Sequence, residues 1–227
     1  MANWSGVAAT LGALVRPRVL EPALRVPSIA SLDFARLANE GNVVGVIIDK
    51  DNCIAPPRSD SLAPDPALHA AWASLLRTFG PHNVLVVSNS AGSLSKDPLL
   101  LQAEALSRNL AVPVLVHEGP KPAHKCVEQV VYSPLARARA SHLAAAAAGA
   151  STSTITATKA GPPTPTRLLV IGDRLATDMI LAHRLSALSF PLSAVPVLTT
   201  HLWAREGWGT TLLRWVERGA LWGLDGR

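Results

Sequence analysis

Short β-branched apolar runs, each ending abruptly in polar or glycine-containing residues, constrain this chain more than any other feature. They occupy 43–48, 84–87, 112–116 and 168–171, with a weaker fifth at 195–198. The runs are continuous and do not alternate with polar residues, which is the pattern of strands buried on both faces, as in a parallel sheet. Helix-like segments at 66–79, 98–109, 123–132 and 177–185 separate them. Strand and helix in alternation predict an α/β fold, a doubly wound parallel sheet. In such sheets the chemistry collects at the carboxyl ends of the strands. The residues that follow each run are therefore where function is sought.

Those residues are DKDNC after the first run, SNSAG after the second, HEGPKP after the third and GDRLATD after the fourth. Each has an ordinary reading taken alone: Ser88 as a turn residue, Lys121 as a surface charge, Asp173 and Asp178 as helix N-caps. Together and in order they supply the parts of a phosphoryl-transfer site. Asp49 is placed to attack phosphorus as a carboxylate nucleophile. Asp51 is placed to protonate the leaving alkoxide and then to deprotonate the attacking water. Two carboxylates so close repel unless a cation lies among them, and Mg2+ suits such hard oxygen ligands. Asp49 and Asp173 are the expected side-chain ligands, Asp51 joins through its backbone carbonyl, and Asp178 completes the acidic set. The Ser88 hydroxyl and neighbouring N–H groups, including those of Asn89, face the equatorial oxygens, and Lys121 offsets their charge. Lys125, one helical turn on, is the alternative lysine. His117, Lys96, Arg58 and Arg174 are candidates for further contacts to the substrate, with Arg174 favoured because it follows Asp173 directly.

The series Asp49-Lys50-Asp51, Ser88, Lys121 and Gly172-Asp173…Asp178 resembles the four motifs of the haloacid dehalogenase-like (HAD) phosphatase superfamily, over residues from about 43 to about 200. More narrowly, DKDNC, VVSNSAG and GDRLATD look like the mitochondrial phosphatidylglycerophosphatases of fungi and their bacterial relatives. Where the superfamily usually carries Thr or Val two residues after the second Asp, this chain has Cys53, a variant at home in the narrower family. Cys53 is then read as a packing residue, not a nucleophile. The resemblance implies hydrolysis of phosphatidylglycerophosphate to phosphatidylglycerol on the route to cardiolipin. It also implies a peripheral position on the matrix side of the mitochondrial inner membrane.

Substrate access is read from spacing. Neither the stretch from Asp51 to Ser88 nor that from Ser88 to Lys121 has room for a folded cap, so an open site suited to a bilayer head group is expected. The 227 residues carry a net charge of +5, which favours anionic partners. No aromatic residues interleave with lysines as in a nucleic-acid platform, so a nucleic-acid partner is not expected. Two cysteines, Cys53 and Cys126, make no disulfide framework.

The chain divides into a 1–40 segment expected to be amphipathic and membrane-associating, a phosphatase domain over 41–200, and a Trp/Arg amphipathic helix over 201–227. Within the domain, the Ala-, Ser-, Thr- and Pro-rich stretch 136–166 reads as a flexible insertion. In the C-terminal stretch Trp208, Leu212, Trp215 and Trp222 share one helix face flanked by Arg205, Arg214 and Arg218. That face suits an anionic lipid surface, the sheet, or a second subunit in a homo-oligomer. Two rival readings are a phosphatase for soluble esters with the same residues and a non-catalytic membrane-bound scaffold.

Overall fold

The computed structural model describes residues 17–133, 166–188, 192–204 and 219. Five strands form one parallel sheet in the order β1-β5-β4-β2-β3. They are β1 (Leu24–Val26), β2 (Val43–Ile48), β3 (Val84–Val86), β4 (Thr166–Gly172) and β5 (Leu192–Thr199). The helices are α1 (Phe34–Asn39), α2 (Pro66–Phe79), α3 (Leu101–Leu110), α4 (His124–Val131) and α5 (Ile180–Ala187). This is the expected doubly wound α/β arrangement.

Alternation along the central strands explains why helices cover both faces. Val46, Ile48, Val86, Leu169 and Ile171 point to one side, where they meet Phe34 of α1, Leu68, Trp72 and Leu75 of α2 and Leu106 of α3. Ile47, Leu85, Leu168 and Val170 point to the other, against Val127 and Val130 of α4 and Leu181 and Leu185 of α5. Asp65 caps α2, its side chain accepting from Ala67 N at 2.9 Å, and Pro66 occupies the first turn, where a missing N–H costs nothing.

Three sequence expectations are corrected. The run 112–116 forms no extended strand: Val114 makes one isolated parallel bridge to Val86, although Leu115 N donates to Val86 O at 2.8 Å. Pro113 lacks an N–H, so the ladder has no donor at that position. The start of the domain lies earlier than residue 41. Residues 17–40 supply β1, which pairs with β5, and bury Leu20, Ile29 and Phe34. These apolar side chains belong to the core and not to a membrane face. The segment expected to open a helix at 177 begins as a wider π-helical turn, Leu175–Met179, before α5.

Residues 1–16, most of the insertion 136–166 and most of the Trp/Arg segment 201–227 lie outside the described residues. The intervals 51–88 and 88–121 are fully described. The first holds α2 and the second α3, and neither contains a further folded unit.

Candidate active site

β2, the strand carrying DKD, is flanked by β4 and β3, so the three motif-bearing strand ends lie side by side. Asp49 N donates to Ile171 O and Val87 N donates to Ile48 O, both at 2.9 Å, which extends the sheet to the start of each tip. The chain then turns sharply. Ile54 and Ala55 donate to Lys50 O, and Asn52 takes a left-handed conformation (φ 60°) that asparagine tolerates better than most residues. That turn directs Asp49 and Asp51 to different partners.

Asp49 faces Lys121 and the β4 carboxylates. Lys121 Nζ lies 2.8 Å from Asp49 Oδ1 and 2.7 Å from Asp178 Oδ1, and all three side chains are buried. Asp49, Asp173 and Asp178 each place a carboxylate oxygen within 4.8 Å of the others. Burial raises Asp49 to about 6, Lys121 working against the rise while the charges of Asp178 and Asp51 add to it. Burial also opposes the charge on Lys121, yet Asp178 and Asp49 hold its pKa well above the ordinary lysine value.

Asp51 turns away from this cluster. Lys50, wholly buried, donates to Asp51 Oδ1 at 2.6 Å and to Ser59 O at 3.0 Å. Ser90 Oγ donates to Asp51 Oδ2 at 2.5 Å, and Ser88 Oγ reaches the same oxygen at 3.3 Å. Burial alone would raise Asp51, but the charge and hydrogen bond of Lys50, joined by Ser90, hold it below the usual carboxylate value. The Asp51 side chain therefore stands outside the three-carboxylate cluster, which leaves its backbone carbonyl as the group available to a metal.

The other expected residues divide into those at the site and those that support it. Lys121 is the lysine among the carboxylates, whereas Lys125 pairs with Glu118 at 3.0 Å on the surface. Asn89 is occupied with Lys121: its Oδ1 accepts from Lys121 N at 2.6 Å and its Nδ2 donates to Lys121 O at 3.3 Å. The Asn89 side chain thus positions the lysine. His117 is buried with its ring nitrogens 2.7 Å from Ser88 O and from Gly119 O, so it ties two strand tips together instead of facing substrate. Burial lowers its pKa. Arg174 sits at the β4 tip, half-buried, and its Nε has no hydrogen-bond partner among the described residues. Lys96 and Arg58 are exposed. Sequence reasoning missed Lys50 and Ser90, the two groups that hold Asp51. Cys53 is buried and its thiol pushed far up by burial, as suits a packing residue.

The donor set fits a hard divalent cation. Asp49, Asp173 and Asp178 gather three carboxylates within 4.8 Å of one another beside the Lys121 ammonium, a crowding of acids that a bound cation relieves. Oxygen is the sole ligand type on offer, and Lys121 already engages Asp178.

Comparison with known proteins decides the family. The Mitochondrial PGP phosphatase family model matches residues 4–142. The chain belongs to this family. It is 32% identical over 181 residues to the mitochondrial phosphatidylglycerophosphatase of Saccharomyces cerevisiae, covering 80% of this chain and 82% of that protein. It is 31% identical to the chloroplastic phosphatidylglycerophosphate phosphatase 1 of Chlamydomonas reinhardtii, across 89% of this chain and 63% of the relative. A probable mitochondrial phosphatidylglycerophosphatase of Schizosaccharomyces pombe is 25% identical, across 81% and 78%. No solved structure gives a significant match. The family match includes the tips of β2 and β3 and Lys121, and it ends before Asp173 and Asp178. The alignment to the Saccharomyces cerevisiae relative, 80% of this chain, is long enough to take in both. No described helix is long and apolar enough to cross a membrane.

Proposed function

We propose that this family member hydrolyses phosphatidylglycerophosphate to phosphatidylglycerol, with Mg2+, through an aspartyl-phosphate on Asp49. The observation that carries the reading is the buried Lys121 Nζ bridging Asp49 and Asp178 beside Ser88, a lysine held among carboxylates at the tip of β2. The terminal phosphate of the lipid head group enters with its oxygens toward Lys121, the Ser88 hydroxyl and the N–H groups of the Ser88–Ser90 turn. Asp49 attacks phosphorus, the P–O bond to glycerol breaks, and Asp51, having taken a proton from the phosphate monoanion as the substrate binds, gives it to the leaving alkoxide. Water then attacks the acyl phosphate, Asp51 takes the proton, and inorganic phosphate leaves with Asp49 restored.

Asp49, Asp173 and the Asp51 carbonyl would hold Mg2+, which would neutralise charge at the phosphoryl oxygens. Asp178 fixes Lys121, and Lys50 with Ser90 fixes Asp51 until substrate arrives. Arg174, half-buried at the tip of β4, offers its guanidinium to the second phosphate of the substrate, the diester that links the two glycerols. The absence of a folded insertion between Asp51 and Lys121 leaves the site open to a head group presented by a bilayer. The mitochondrial relatives support a mitochondrial location, and within it this reading takes a peripheral place on the matrix side of the inner membrane, on the route to cardiolipin.

The test is purified protein with Mg2+ and a panel of phosphate esters, the lipid among them. Phosphate release from the lipid, abolished by Asp49→Asn, is the expected result. Release from sugar phosphates with none from the lipid removes the substrate assignment.

A further inference from the structure

Large apolar side chains are exposed in a concentrated way. Among the described residues, Leu94, Leu99, Leu101 and Val116 are exposed on two neighbouring loops, Leu99 at 76% and Leu101 at 64%. The loops lie together because Ser93 bridges to His117 and Leu94 N donates to His117 O at 3.0 Å. A shallow groove of about 440 Å³ adjoins Val116, lined by the apolar Leu100, Ala103, Pro113 and Val114 together with Glu104 and Ser107. Isolated exposed leucines are ordinary, but a contiguous apolar patch on a soluble fold marks a contact surface.

The loop is built to hold these leucines outward. Asp97, its one acid, turns inward, is buried, and accepts from Gly92 N at 3.1 Å, Ala103 N at 2.8 Å and Gln102 N at 3.2 Å. Leu100 adopts a left-handed backbone (φ 57°), a conformation that costs a non-glycine residue energy and keeps Leu99 and Leu101 pointing to solvent on either side. With Asp97 turned in, the exposed charge of the segment 93–101 is that of Lys96. The patch also lies on the catalytic side. The loop leaves the tip of β3 directly after Ser88, and His117 is tied at once to Ser88 O and, through its own N–H, to Gly92 O at 2.9 Å.

From this geometry we propose that the leucine loop 94–101, with Val116, is the surface that seats the enzyme on an anionic phospholipid bilayer. The leucines enter the acyl boundary, Lys96 meets the phosphates, and the open tips of β2, β3 and β4 face the same surface. The orientation rests on the lipid-phosphate reading of the site, and the docking itself does not. A bilayer is favoured over a protein partner because Asp97 is buried and the nearby exposed acids Glu104 and Glu118 are paired with Arg108 and Lys125, which leaves Lys96 beside the protruding leucines to meet a negative sheet of head groups.

The experiment is flotation of the full chain with phosphatidylcholine vesicles, with and without phosphatidylglycerol, for the native protein and Leu99→Ser/Leu101→Ser. Both leucines are exposed, so the double variant folds, and its turnover of water-soluble p-nitrophenyl phosphate stays at the native level. The native protein floats with phosphatidylglycerol vesicles and the double variant partitions roughly tenfold or more weakly. Leu99→Trp restores partitioning in the Leu101→Ser background. Equal flotation of native and double variant overturns the proposal, as does failure of the native protein to float. A native dimer that the double variant dissociates, with flotation unchanged, assigns the patch to a second copy and also overturns it. Leucine-dependent flotation without lipid hydrolysis leaves the docking surface standing and removes the substrate assignment instead.

Discussion

Replacing Gly172 with alanine tests whether Asp178 belongs to the catalytic apparatus through its grip on Lys121. A Cβ at residue 172 would lie 2.2 Å from Asp178 Cγ, 2.3 Å from Oδ2 and 2.5 Å from Cβ. Ordinary contact begins near 3.4 Å, so Asp178 must retreat by roughly 1 Å or more. Rotation of the carboxylate cannot relieve the overlap, because Asp178 Cβ is itself too close and the residue is buried on the π-helical turn. The Lys121 Nζ–Asp178 Oδ1 contact, 2.7 Å in the native protein, is lost, as is the bond from Arg174 N to Oδ2 at 3.2 Å. Misplacing a catalytic group by about 1 Å costs on the order of 10²-fold in rate. Overpacking of this kind costs about 1–3 kcal/mol, or about 3–10 °C in Tm for a domain of this size. The assay is kcat on a soluble phosphate ester with Mg2+, alongside thermal melts of Gly172→Ala, Asp178→Ala and the double variant. The double variant should regain much of the lost Tm, since the clash is gone, while its activity stays low. Native kcat and Tm in Gly172→Ala would refute the reasoning, because the packing of Asp178 on Gly172 would then not be what holds Lys121.

Three further outcomes follow from the electrostatics. Burial lifts Asp49 from 3.8 to about 6, so the stability it contributes is full below about 3.8 and is lost as pH rises through about 6. Metal-free Asp49→Asn should therefore melt higher than the native protein at pH 8, by about 1–3 kcal/mol, and match it more closely at low pH, while having no turnover. A lower melt at pH 8 counts against the assignment. Lys50→Met removes the charge and hydrogen bond that outweigh burial at Asp51, so the acid limb of the kcat–pH profile should move to higher pH. An unmoved limb separates Lys50 from Asp51 function. Saturating Mg2+ should raise the Tm of the native protein, by the equivalent of about 2.7 kcal/mol at a hundredfold excess over Kd. Asp173→Asn should lose most of that shift, and a full shift in the variant would take Asp173 out of the ligand set.

Strands and tips were legible because burial on both faces demands continuous apolar runs, and a tip must break such a run. That logic located β2 at its full length and placed Asp49, Ser88 and Asp173 just beyond neighbouring strand ends, while Lys121 joins them from the loop before α4. β1 escaped notice because Leu24–Val26 is only three residues long, edge-placed and partly exposed, so it leaves no apolar run. Lys50 was illegible for a different reason. A lysine between two aspartates reads as solvated spacing, and only the turn at Asn52 sends its ammonium inward to Ser59 O and Asp51. The choice between Lys121 and Lys125 also needed three dimensions, since helical spacing makes either a neighbour of the same tip.

The strand order carries a consequence for how the chain comes off the ribosome. β1 emerges first yet, among the described residues, pairs only with β5, the last strand, and the central position between β2 and β5 belongs to β4. A nascent chain that has reached residue 133 holds β1, β2 and β3 but lacks the middle of its sheet. One apolar edge of β2 stays unpaired, and Lys121 lacks Asp178. Such high contact order makes folding slow and leaves the half-made chain open to aggregation. Holdase chaperones should therefore bind nascent chains of this length, and release should wait for residues beyond 199.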